Sequence, residues 1–218
     1  MDYLKEFNPV SSSKNEKTHF IENMQNTVNQ IRRVLDELHT GEIPSKNLSK
    51  TELTRLCRSF VKGQRYDISR FEGSWTVAPE GYNEGMPSDA RVDFVFIPTY
   101  LVISILTKVM IDFPEIIDTI PKYEESLKEG YKFASLRSLT GHGYESTDVM
   151  IKTIELFEKG RVLTFLSENP DFSPEMFGLL KKIKTEIESK LKKGDVPGAW
   201  GKEYSNEYLK TVERLKNY

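Results

Sequence analysis

Phe20, Met24, Val28, Ile31, Leu35 and Leu38 recur at intervals of about three or four residues, which predicts an amphipathic helix. Gly41 supplies its left-handed stop, and Ile43-Pro44 begins the connection. A second helix opens where Ser49 and Glu52 have the spacing of a capping box, with Leu53, Leu56, Cys57, Phe60 and Val61 on one face and Gly63 closing it. Periodicity then vanishes from Gln64 to Arg91, where Gly73, Pro79, Gly81, Gly85 and Pro87 punctuate a long loop. Val92 to Ile97 fits either a short strand or the first turn of a helix that Pro98 kinks or restarts. From Pro98 to Asp112 apolar residues lie nearly all round, the pattern of a helix in the middle of a fold.

Beyond it, Pro114 and Pro121 mark two helix starts, the second carrying Tyr123, Leu127, Tyr131 and Ala134 on one face toward Leu139. Gly141-His142-Gly143 stops that helix, and another follows with Val149, Met150, Ile154 and Phe157 inward and Gly160 behind it. A shorter helical piece precedes Pro170. Ser173-Pro174-Glu175 combines a cap, a proline without an amide to satisfy and a carboxylate at the positive end of the helix dipole. Phe177, Leu180, Ile183, Ile187 and Leu191 form the stripe that follows, ended by Gly194; Ser205 can cap a last helix burying Leu209, Val212 and Leu215.

The pattern therefore predicts an all-α fold of about seven or eight helices, an orthogonal bundle or helical array with long irregular loops and at most one short strand. Residues 1–16 are expected to form a flexible leader, and residues 17–218 a single compact helical domain. No internal repeat rises above helical periodicity.

Composition changes this picture little. The chain has 31 basic and 33 acidic residues, a formal charge of -2, which gives no general attraction to nucleic acid or to an anionic membrane. Met1 to Val10 lacks the apolar stretch of a signal peptide, and the run from Phe94 to Met110, broken by Pro98, Ser104 and Lys108, is short of the ~20 residues that span a bilayer. A cytoplasmic location without membrane attachment is expected. The single cysteine, Cys57, excludes an internal disulfide and suits a buried small side chain.

Candidate chemistry concentrates in three loops. Connections longer than about 12 to 15 residues are uncommon unless they function. The stretch from Arg70 to Asp93 is one, and it holds Glu72, Glu80, Glu84, Asp89 and Asp93 against Arg91, with Phe71, Trp75 and Tyr82 among them; because it runs directly into the central apolar segment, parts of it are expected to be pinned against the body. Acid-base work needs two carboxylates whose surroundings separate their pKa values, for which Glu80 and Asp93 are the candidates. Trp75 and Tyr82 can offer a face to a sugar ring or flat base, with Asp89 and Arg91 as polar contacts. The same residues also suit a solvated loop in which Arg91 pairs internally.

In Gly141-His142-Gly143-Tyr144-Glu145, a histidine between glycines lies where backbone can approach a ligand, so His142 is read as general base or acid, Glu145 as its partner and Tyr144 as a contact. A helix stop with His142 at the surface is the plainer alternative. With His19, His39 and His142 the only histidines, no metal site and no cofactor is expected. Gly194 to Lys202 fails as a phosphate loop, because Val196 occupies the first glycine position and Glu203 follows Lys202; Trp200 is read as a lid or packing anchor. Arg55, Arg58 and Lys62 share the outer face of the second helix and suit an anion or the acidic loop that follows.

Two functions fit these features. One is a small-molecule binder or small enzyme whose polar and aromatic pocket is built from these loops and takes a small polar or ring-containing ligand. The other is a helical protein-protein interaction module without catalysis, with self-association left open.

Overall fold

The computed structural model describes residues 6–7, 17–41, 48–66, 71–78, 92–138, 153–181, 185, 210 and 213. Helix α1 spans Lys17–Thr40. Met24, Val28, Ile31, Leu35 and Leu38 are buried, so the periodic stripe is its core face. Gly41 follows with a φ of 75°, a left-handed stop that a side chain would strain.

Helix α2 spans Lys50–Gly63. Its capping box forms as the sequence predicts: the Ser49 hydroxyl accepts from the Glu52 N–H at 3.2 Å, and the Glu52 carboxylate accepts from the Ser49 N–H at 2.9 Å. Ser49→Ala is expected to lower stability by about 1 kcal/mol, read as a lower urea midpoint with an unchanged slope. An unchanged midpoint would show that the first turn of α2 gains nothing from the cap. Gly63 ends α2 for a different reason than Gly41 ends α1. A Cβ there would lie 2.6 Å from Cδ1 of Phe7, so the position leaves room for a ring.

The segment left open between strand and helix is helical. A π-helical turn at Val92–Phe96 runs directly into α3, Ile97–Asp112, and Pro98 lies in the first turn, where a missing N–H interrupts no bond. Thr99 strengthens the junction by donating its hydroxyl to the Val95 carbonyl at 2.7 Å. This added turn corrects the length read from the apolar run. Asp93–Asp112 is a 20-residue helix apolar and long enough to cross a membrane, and 83% of the apolar stretch is buried inside the structure. Every residue from Ile97 to Thr107 is buried.

A short helix α4, Pro114–Ile117, leads to α5, Tyr123–Phe133, which continues into a second π-helical turn at Ala134–Ser138. Residues 153–159 form α6, Val162–Glu168 form α7, a 3-10 turn covers Pro170–Phe172, and residues 174–181 form α8. Among the described residues there is no strand, and 79% are helical, so the fold is all-α.

Helices α1, α5 and α7 pack around α3. Against it α6 makes its closest approach, because a Cβ on Gly160 would come within 2.5 Å of the Ser104 Cα. Backbone cannot yield as a flexible side chain can, so glycine opposite serine lets these chains meet. On α8 the buried face differs from the expected one: Met176 is fully buried, whereas Phe177 and Leu180 are half-buried. Phe177 and Leu180 still pack against the core beside Met176, while Ile183, Ile187 and Leu191 lie outside the described residues.

Several polar side chains inside the body are paired across helices. The Gln64 side-chain amide donates to the carbonyls of Gly73 and Ser126, each at 2.8 Å, and its oxygen accepts from the Ser126 hydroxyl at 2.6 Å. Tyr123 donates to the Leu106 carbonyl at 2.7 Å, and Tyr131 and Thr107 share a 2.6 Å hydroxyl pair. Cys57 is buried as expected, and burial pushes its thiol up to about 12, leaving it protonated and unreactive at neutral pH.

Candidate functional site

Of the residues singled out in the sequence, Trp75 and Asp93 fall among those described. Glu80, Tyr82, Asp89, Arg91, His142, Tyr144, Glu145 and Trp200 lie outside them.

Residues 71–78 carry Trp75 and have no regular helix, yet they are almost wholly buried. Gly73, with a φ of 84°, makes the turn possible; a Cβ there would lie 2.6 Å from the Glu129 carbonyl oxygen. Trp75 is fully buried. Its indole N–H donates to the Phe60 carbonyl at 2.7 Å, and its backbone N–H donates to the Thr99 hydroxyl at 3.0 Å. Gly130 faces the ring so closely that a Cβ would lie 2.5 Å from its Cζ3. Held on both faces of the fold's interior, this indole links α2, α3 and α5 and offers no open face on which a ligand can stack.

Asp93 is placed oppositely. It is exposed, in the first turn of the π-helical entry to α3. A carboxylate at the amino end of a long helix sits in a favourable field and in contact with solvent.

The geometry around these two residues shows how the expected site segments are anchored. The Val77 N–H donates to the Phe94 carbonyl at 3.1 Å, and the Thr76 hydroxyl donates to the same oxygen at 3.2 Å. The flanks of segment 79–91 are therefore bonded to each other beside the start of α3. A small apolar cluster of Phe71, Val95 and Phe133, with Phe96 against it, lies at that same end. Phe96 and Phe133 have ring centroids 6.0 Å apart, so the π-helical turn after α5 begins next to the one before α3.

The far side of segment 139–152 returns to the same region. Phe157 meets Tyr100 edge-on at 5.8 Å, and Gly160 lies against Ser104. Residue numbers thus rise together along α6 and α3, and Thr153 lies toward the amino end of α3. The flanks of both segments gather at one end of the central helix. Sequence reasoning missed the small cluster that joins them, although Phe71, Phe96 and Phe133 were visible as aromatic residues outside the main stripes.

Two π-helical turns at one end of a body are also unusual in themselves. Such turns are rare and occur often beside functional sites, because each leaves the local backbone bonding pattern altered. Among the described residues no group of three His, Cys, Asp or Glu side chains is placed to hold a metal ion. Compared with models of protein families, with characterised proteins and with solved structures, the chain matches none.

Proposed function

We propose that the protein binds, or acts on, a small polar or ring-containing molecule at the amino end of α3, in a pocket to which segments 79–91 and 139–152 contribute. The observation that supports this reading is that the flanks of segment 79–91 are bonded at Phe94, and that Phe133, shortly before segment 139–152, meets Phe96 beside them. A composite site needs Glu80, Asp93 and His142 to act together, and the joined flanks are compatible with that. Trp75 is no part of this pocket; ring stacking would fall to Tyr82, Tyr144 or Trp200.

Polar groups kept for a ligand are held at some expense of stability. Glu80→Ala, Asp93→Ala and His142→Ala are therefore expected to leave the melting temperature level or raised, and to remove the thermal shift produced by any ligand the wild-type chain binds. If these residues instead support their loops, each loss should lower stability by about 1 to 3 kcal/mol. Destabilisation in all three variants would favour the interaction-module reading.

A further inference from the structure

Phe7 belongs to the core by burial but is held differently from the helical residues around it. Its ring is 2% exposed, lies 5.5 Å from the Phe60 ring at an angle of 53°, and fills the space that a Cβ on Gly63 would need. Its backbone N–H donates to the Ser59 hydroxyl at 2.8 Å. Ser59, Phe60 and Gly63 thus form a socket on α2 that takes one aromatic ring and one amide from a chain running past. Ser59 does not depend on that visitor, because its own hydroxyl donates to the Leu56 carbonyl at 2.7 Å. Emptying the socket therefore leaves the Ser59 hydroxyl paired and exposes apolar surface that includes the Phe60 ring. A site whose polar partner is satisfied both filled and empty is suited to exchange.

We propose that this socket is a binding site for an aromatic residue of a peptide, that Phe7 of this chain is its resident occupant, and that Phe7 exchanges between seated and released states while α1 to α8 stay folded. Opening is then local, and it follows a lower free-energy route than global unfolding. Because the resident occupant is tethered, a free peptide competes well only after Phe7 has been removed.

Hydrogen exchange of the full-length chain tests the first half. The Phe7 amide should exchange at least about 100-fold faster than the amides of Val102 and Ile103 in α3. Equal rates would mean that Phe7 leaves only when the whole protein unfolds, and would overturn the proposal. The second half is tested with a synthetic peptide of residues 2–14 titrated against full-length Phe7→Ala protein and followed by NMR shifts at Phe60 and Gly63. Saturable binding is expected, at least about 10-fold weaker to the wild-type chain. It should disappear when the peptide itself carries Phe7→Ala or when Gly63→Leu fills the socket. Equal binding to both chains, or binding indifferent to the peptide's phenylalanine, would reject the site. Loss of the helical far-UV spectrum in the Phe7→Ala protein would also reject it, since release would then not occur in a folded molecule.

Discussion

Ile105→Asp is expected to leave no cooperative thermal transition. Ile105 is fully buried in α3, in the stretch where every residue from Ile97 to Thr107 is buried. A carboxylate there must be desolvated or take up a proton, and it also removes the packing of the isoleucine. The effective penalty of burying an unpaired charge is several kcal/mol, and the lost side chain adds about 2 to 5 kcal/mol. Together these rival the whole stability of a typical domain, about 5 to 15 kcal/mol. Far-UV circular dichroism against temperature is the measurement. A cooperative melt within a few degrees of wild type would show that α3 is not the element on which the body depends.

Trp75→Ala should have the next largest effect, a loss of about 3 to 5 kcal/mol in urea unfolding. The truncation empties the space against Gly130 and removes the indole N–H from the Phe60 carbonyl. Trp75→Phe separates the two contributions: it retains much of the ring but removes the indole N–H from the Phe60 carbonyl, which keeps its place in the helix, a loss of about 0.5 to 1.5 kcal/mol. If Trp75 were a ligand platform and not an internal tie, both substitutions would leave the urea midpoint near wild type.

Where structure follows from neighbours in sequence, the chain was readable. The Ser49 and Glu52 box, the Gly41 stop and the stripes of α1 and α2 depend on residues within a turn or two, and each appears as the pattern predicts. The apolar stretch around Ile105 marked the centre of the fold for the same reason. Residues 71–78 were readable only in part: Phe71 and Trp75 pointed to a loop pinned against the body, as it is, but not to what pins it. They lack periodicity and contain glycine and aromatic residues, which is how a surface loop with a binding face looks; what buries Trp75 is Phe60, Thr99 and Gly130, all distant in sequence. The π-helical entry to α3 was equally hidden, because an apolar run before a proline satisfies a short strand and a helical turn alike. Asp93 was legible as a polar loop-end residue, and its exposed place at the helix start follows from that entry. The joining of the two segments' flanks depends on Phe96 meeting Phe133, a pairing between helices that no local pattern contains.

A helix enclosed on every side is also one that cannot be covered early during synthesis. Asp93–Asp112 leaves the ribosome before Phe157 and Gly160, which pack against it, have been made. At about 5 to 20 residues per second, the roughly 50 residues from Asp112 to Gly160 take about 2 to 10 seconds to translate. Throughout that interval the nascent chain presents a segment with the length and apolarity of a membrane span. The order of synthesis, and not the finished fold, therefore sets the interval in which this apolar helix has the least cover.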